Sequence, residues 1–350
     1  MLYDIIIVIA ALAILIKSSD YFVDASAKIA RAFGVSEFVV GVTLVAIGTS
    51  LPELASSIAA SFYKNSQLVI GPIIGSNIAR IGLVLGLSAV IAPIIIEKRV
   101  FTKEGIYLMF ISLVFAVFAF NKNISRIEGI ALLALFMIYM LWLLETDVLK
   151  GGLRRLFANI GSKGIFPGLK MLREEFAQNS NHRSPEATAG FLAKQSLIII
   201  ASCAALFFSA KYLIPSLENV ALALKIPDTV VGLIVLGLGT TLPELMVCIS
   251  AARKRMGNMI MGTLIGSNIT DTLLVIGISS LINPITPSLL GIVYYIPAMI
   301  LFTLLLLAFI RTGWVVRMFE GFVLLLLYVI FLAVMLYFVK TGFLASAPLT

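Results

Sequence analysis

The chain has 350 residues, 60% of them hydrophobic and only 13% charged, with a mean hydropathy of +1.08 and a formal net charge of +8. A soluble globular domain lies near 45 to 50% apolar and about 25% charged, so these figures exclude a soluble fold and imply a membrane-embedded one. Two cysteines in apolar runs, Cys203 and Cys248, and a single histidine in a polar stretch, His182, exclude a disulfide framework, a thiolate cluster and zinc chemistry.

Ten apolar runs approach the roughly 20 helical residues that cross a hydrocarbon layer about 30 Å thick. They lie at 3–27, 38–61, 68–94, 105–121, 127–145, 191–217, 229–252, 259–283, 289–310 and 319–339. The first has no basic residue before Leu2 and runs into Lys17, Ser18, Ser19 and Asp20 rather than a small-residue cleavage site, so it reads as a retained helix and not a signal peptide. Ten spans put both termini on one side. With the termini outside, the inward segments carry Lys28, Arg31, Lys98, Arg99, Lys103, the basic residues from Lys150 to Lys194, Arg253, Lys254, Arg255, Arg311 and Arg317. The outward segments carry only Lys64, Lys122, Arg126, Lys225 and Lys340. Lys and Arg concentrate in cytoplasmic loops, so the expected protein is multi-pass, in the cell membrane, with both termini outside. The basic balance then reports topology and calls for no nucleic acid.

Between spans five and six, a polar stretch with Gly151, Gly152, Gly161, Gly164, Pro167 and Gly168 is followed by a mixed-charge, helical-looking piece from Gly168 to Gln178. It has no calcium-loop spacing and no strand alternation, and reads as a cytoplasmic connector with one surface helix. The expected division is a first five-helix repeat at 1–146, a linker at 147–190 and a second, inverted repeat at 191–350.

The chain matches itself at an offset of 191 residues without a gap. Val39 to Gly41 matches Val230 to Gly232. Gly48-Thr49-Ser50-Leu51-Pro52-Glu53-Leu54 matches Gly239-Thr240-Thr241-Leu242-Pro243-Glu244-Leu245, Gly75-Ser76-Asn77-Ile78 matches Gly266-Ser267-Asn268-Ile269, and Pro93 matches Pro284. Each half has five spans, an odd number, so the halves insert with opposite orientation, as in secondary transporters whose site lies at the midplane between inverted repeats. Pro52 and Pro243 each remove a helical hydrogen bond and free the carbonyl four residues back, at Gly48 and Gly239. Free carbonyls within the bilayer must face protein, water or an ion, so two symmetric breaks predict a polar cavity.

Of the 18 acidic residues, Glu53, Glu244 and Asp271 alone are placed deep within spans, with Asp20 and Asp24 nearer the inner end of the first. A carboxylate at that depth costs at least about 2.5 to 3.5 kcal/mol and is a functional candidate by default. With the freed carbonyls and the hydroxyls of Thr49, Ser50, Ser76, Thr240, Thr241 and Ser267, the set is all oxygen. It suits a hard cation, calcium above all, since magnesium keeps its waters. The glycines, and Asn77 and Asn268 beside them, read as residues that let helices pack closely.

Gly-Thr-Ser-Leu-Pro-Glu followed by Gly-Ser-Asn in each half resembles the alpha repeats of the sodium/calcium exchangers, within the cation/calcium antiporter superfamily. The resemblance covers essentially all ten spans. It implies an all-α integral membrane fold of two inverted five-helix repeats, calcium carboxylates at Glu53 and Glu244, and backbone ligands near Ala46, Thr49, Gly237 and Thr240. It also implies flanking sodium sites built with Ser50, Ser76, Thr241 and Ser267, and helices one and six that slide across an eight-helix core. The hydrogen-ion-coupled branch usually carries Gly-Asn-Ala-x-Glu, so the resemblance favours sodium. The ions are cargo; no resident cofactor, obligate protein partner or enzymatic activity is expected.

One position departs from that family's pattern. Where the first repeat would carry Asn or Asp one turn after the Ser, this chain has Arg80, and the residue 191 positions on is Asp271. Too deep in its span to reach an interface, Arg80 is expected to pair with Asp271 and compensate charge inside the site. Alternatives remain open at this stage: a hydrogen-ion/calcium antiporter of the same fold, an ion channel, and an intramembrane enzyme. The symmetric breaks fit occlusion better than a pore, and the site lacks a nucleophile for hydrolysis.

Overall fold

The computed structural model describes residues 2–33, 35–98, 100–143, 189–223 and 241–341. Of the connector expected at 147–190, residues 147–188 with the surface helix lie outside these residues while Ala189 and Gly190 belong to the following helix, and the first part of the span expected at 229–252 also lies outside. Ten helices are present among those described: α1 (Leu2–Phe33), α2 (Glu37–Phe62), α3 (Ser66–Ile91), α4 (Thr102–Phe120), α5 (Arg126–Leu143), α6 (Ala189–Ala223), α7 (Leu242–Arg253), α8 (Gly257–Ile282), α9 (Gly291–Arg311) and α10 (Met318–Thr341). All but α7, whose described part is 12 residues, are long and apolar enough to cross a membrane. The multi-pass, all-helical expectation holds.

Burial separates centre from periphery. In α8, 94% of the membrane-length window is buried, against 22% in α1 and 33% in α6. Leu2, Ile6 and Ile9 of α1 and Leu326, Val329 and Ile330 of α10 are exposed, as lipid-facing side chains should be. α1 packs chiefly along α6, and next against α7, while α2 crosses α8 and α3 crosses α7. The partners of α8 and α3 on the outer side, α5 and α10, again correspond across the two halves.

The internal symmetry reaches the loops. Strand β1 (Ile94–Ile95) pairs antiparallel with β2 (Val315–Val316), with Ile94 opposite Val316. A bridge joins Ile124 and Ile285 through reciprocal backbone bonds of 2.8 and 3.0 Å. Adding 191 to Ile94 gives Ile285, and to Ile124 gives Val315, so the two clamps are equivalents within one residue. By span count they lie on opposite faces of the membrane, as inverted repeats require.

Where α2 meets α8, glycine sets the distance. A Cβ at Gly262 would stand 2.3 Å from the Phe38 carbonyl oxygen, at Gly266 2.7 Å from the Val42 Cα, and at Gly41 2.7 Å from the Met259 carbonyl oxygen. These neighbours are backbone and cannot turn aside. Close approach of small residues is how membrane helices gain packing without a hydrophobic drive between them. Each helix also contains a π-helical segment: Gly41–Val45 in α2, Arg80–Leu85 in α3 and Thr270–Val275 in α8. Such segments cluster at functional sites, and the latter two begin at or beside Arg80 and Asp271.

Gly262→Ala is expected to lower stability by about 1 to 3 kcal/mol through overpacking. The measurement is the thermal midpoint of the detergent-solubilised protein; an unchanged midpoint would mean that α2 and α8 can separate freely.

Candidate functional site

Pro52 lies inside α2 and Pro243 at the first turn of the described α7, each next to its glutamate. The two carboxylates and Asp271 of α8 converge on one side chain. Arg80 is wholly buried, and its Nη1 donates to Asp271 Oδ2 at 2.6 Å, while Nη2 donates to Glu244 Oε1 at 3.3 Å and lies 3.8 Å from Glu53 Oε1. The expected Arg80–Asp271 pair is therefore present and extends to both glutamates. Nη1 also donates to Asn77 Oδ1 at 3.0 Å, Ser76 Oγ at 3.3 Å and Asn268 Oδ1 at 3.5 Å.

Asn77 and Asn268 are the residues whose role the sequence reading missed. Besides packing, each points its amide oxygen at the guanidinium. Their nitrogens are held in turn: Asn77 Nδ2 donates to Thr272 Oγ1 at 3.0 Å, and Asn268 Nδ2 to the Asn77 carbonyl at 3.3 Å. The signal was the third residue of Gly-Ser-Asn, present in both halves.

On the carboxylates that face this cation, and on two serines of the same helices, are oxygens without donors. Among the described residues, no hydrogen bond reaches Ser50 Oγ, either oxygen of Glu53, Glu244 Oε2, Ser267 Oγ or Asp271 Oδ1, all of them buried. Buried acceptors left in this way are costly unless a cation or water satisfies them, and an all-oxygen set fits a hard cation. Thr49 and Thr241 are also buried here. The Thr49 hydroxyl donates back to the Val45 and Ala46 carbonyls, at 3.0 and 3.3 Å, which leaves its oxygen able to accept from or ligate a partner. Ser76 donates to the Ile73 carbonyl at 3.0 Å and reaches Asp271 Oδ2 at 3.4 Å. Thr240 and Gly237 lie outside the described residues. No cluster of three or more acidic, Cys or His side chains spaced for a metal is found among the described residues, and all three carboxylates of the site face the guanidinium.

Two expectations are corrected. The Gly48 carbonyl freed by Pro52 does not join the carboxylates: it accepts from the Cys203 thiol at 3.7 Å, beside an apolar crevice of about 490 Å³ between α1, α2 and α6. Pro52 and Leu51 line the same crevice, so the break opens toward α6 while Glu53, the next residue, turns inward. Nor does Asp20 lie toward the inner end of its helix, and a further buried carboxylate, Glu104, stands at the end of another. Glu104, in the first turn of α4, is buried where Tyr139 of α5 donates to its Oε2 at 3.0 Å. Asp20 lies mid-way along α1, which extends to Phe33, and accepts from Ser250 of α7 at 2.5 Å, while Lys254 donates to Asp24 at 2.7 Å.

Asp271→Ala would leave Arg80 without its nearest partner, and breaking a buried pair from one side costs about 3 to 5 kcal/mol. A large fall in thermal midpoint for Asp271→Ala, with substantial recovery in Arg80→Met/Asp271→Leu, is the expected result of the unfolding experiment; equal midpoints for parent and single variant would contradict it.

Comparison with known proteins gives a consistent picture. A family model described as sodium/calcium exchanger protein matches residues 3–145 and 194–337. The sodium/calcium exchanger MaX1 of Methanosarcina acetivorans is 40% identical over 345 residues, covering 95% of this chain and 99% of the relative. The inner membrane protein YrbG of Escherichia coli is 31% identical over 284 residues, 81% of each chain. A solved structure of the sodium-calcium exchanger NCX_Mj, soaked with 2.5 mM Na+ and 0.1 mM Ca2+, superposes with a TM-score of 0.74 at 32% identity, over 95% of this chain and 98% of that one.

Proposed function

Because the chain belongs to the sodium/calcium exchanger family, we propose that it is a secondary antiporter exchanging calcium for sodium by alternating access at the buried site between α2, α3, α7 and α8. The observation that carries this reading is the group of donor-free buried oxygens on Ser50, Glu53, Glu244, Ser267 and Asp271, positioned on symmetry-related elements. A cation is the partner that can satisfy two carboxylates at once in a water-poor layer. In this reading Glu53 and Glu244 bind calcium, and Ser50, Ser76, Thr49, Thr241, Ser267 and Asp271 contribute oxygens to calcium or sodium. Thr240 and the backbone near Ala46 and Gly237 complete the set. The hydrogen-ion-coupled alternative lacks its expected sequence motif here.

The rest of the architecture follows from that role. Residues 1–146 and 191–350 serve as the two repeats, with 147–190 a cytoplasmic linker, both termini outside and the cell membrane as location; the basic residues of the inward segments support this orientation. The peripheral pair α1 and α6 is the element that slides, since it packs mainly on itself and lines the crevice beside Pro52. The chain acts on its ions by binding and release, without enzymatic chemistry.

The deciding experiment is calcium-45 uptake into proteoliposomes under sodium, potassium and proton gradients applied separately. Uptake driven by sodium at fixed pH is expected; uptake driven by protons alone would reverse the assignment. Glu53→Gln and Glu244→Gln should each abolish sodium-driven uptake, because one remaining carboxylate cannot balance a divalent ion in a low-dielectric site. Transport near the parent level in either variant would remove these residues from the site. Cysteines placed between Lys17 and Lys28, or between Ser209 and Asn219, should change reagent accessibility when sodium replaces calcium, and constant labelling would count against sliding helices.

A further inference from the structure

We propose that Arg80 is a tethered cation that takes the place of one transported monovalent ion, so that exchange in this protein is electroneutral, with two sodium ions per calcium. The proposal rests on the sodium/calcium exchange reading and adds its stoichiometry.

Three carboxylates, those of Glu53, Glu244 and Asp271, lie within 3.8 Å of one guanidinium. With all of them ionised, the cluster has a formal charge of −2. Among the described residues, Glu104 is the one other buried charged side chain, and it sits apart, bonded to Tyr139. One calcium or two sodium ions neutralise a site of −2, whereas a third sodium would leave an unbalanced positive charge in hydrocarbon surroundings, where charge is costly. The two loaded forms that cross the membrane then have equal net charge, and a full cycle moves none.

The cation is also fixed in place. Arg80 lies roughly 20 Å of helix from Ser66 and roughly 16 Å from Ile91, at 1.5 Å per residue, so neither end of α3 offers its side chain water. The amide oxygens of Asn77 and Asn268 hold Nη1 from opposite repeats, at 3.0 and 3.5 Å, so the guanidinium is gripped by α3 and α8 together. The residue 191 positions on is Asp271, so the pair is formed by equivalent positions of the two repeats carrying opposite charge. Among the described residues, the oxygens without donors include those of Ser50, Glu53, Ser267 and Glu244 Oε2, acceptors that the arginine does not satisfy and that cargo ions would take up.

The test uses the full-length protein in proteoliposomes with a fixed sodium gradient and a potassium-valinomycin clamp. The readouts are the calcium accumulation ratio at equilibrium and the ratio of sodium-22 to calcium-45 flux. Moving one net charge per cycle through about 100 mV would shift that accumulation ratio about 50-fold. The parent is expected to show a shift of less than about 2-fold, near the zero required when no charge moves, and close to two sodium ions per calcium. Arg80→Asn and the closer-sized Arg80→Gln, with the site at −3, are expected to gain the potential dependence and take up a third sodium. A parent shifted by potential as one net charge requires, or one moving three sodium ions, overturns the proposal while leaving sodium/calcium exchange intact. A transporting Arg80 variant that keeps both parent values overturns the role of the arginine. Absence of any sodium-driven calcium accumulation in the parent overturns the exchange reading, and the stoichiometry with it. The parent measurement decides the coupling whether or not the variants assemble.

Discussion

A charged guanidinium with no route to water has to be balanced where it stands, and much of the central structure meets that requirement. Arg80 draws Asp271, Glu244 and Glu53 from three other helices or helix segments onto α3. Holding four charged groups this close demands that their helices approach closely as well, which the glycines of α2 and α8 permit. It also demands that the remaining acceptors of the cluster find donors or cations; the amide oxygens of Asn77 and Asn268 accept from the guanidinium themselves, so among the described residues Glu53, Glu244 Oε2 and Asp271 Oδ1 have that need unmet.

The two-fold symmetry of the chain passes through this cluster. Residues 191 apart touch each other here: Arg80 with Asp271, and Asn268 with Asn77. Contacts between equivalent positions occur only near the axis that relates the two halves, which places that axis between α3 and α8. The clamps formed by β1 with β2 and by Ile124 with Ile285 mark the same relation at the two membrane faces. Symmetry is broken at its centre, where one repeat supplies a cation and the other an anion. A strictly symmetric pair at these positions would place like charges, or none, at the axis.

The proline breaks act differently from what helix geometry alone suggests. Pro52 frees a carbonyl, but that carbonyl meets the Cys203 thiol on the crevice lined by α1 and α6. Its neighbour Glu53 faces the opposite way, into the cluster. One break thus joins two environments within a single turn, the buried charged cluster on one side and the packing surface of the peripheral helices on the other. That surface is apolar apart from the contact between the Cys203 thiol and the Gly48 carbonyl. Polar links of α1 run to α7, in the bonds from Ser250 and Lys254 to Asp20 and Asp24, and to α6, where Asn219 donates to Asp4.

Much of this was legible from residues alone. Span length and hydropathy determine where a chain can cross a bilayer, because backbone groups in hydrocarbon must pair within the helix. The 191-residue offset determines the repeat, its odd span count determines the inversion, and the cost of buried carboxylates singles out Glu53, Glu244 and Asp271. The Arg80–Asp271 pair followed from its depth and its offset. What the sequence could not determine was direction: which way a carbonyl, a hydroxyl or an amide turns depends on the helix packed against it. Hence Gly48 was expected in the ion site and faces α6, Asn77 and Asn268 were read as packing and grip the guanidinium, and Glu104 went unremarked until Tyr139 of a neighbouring helix was seen to partner it. Periodicity gives a residue its face on a helix; only the tertiary arrangement of α2, α3, α7 and α8 decides what that face meets.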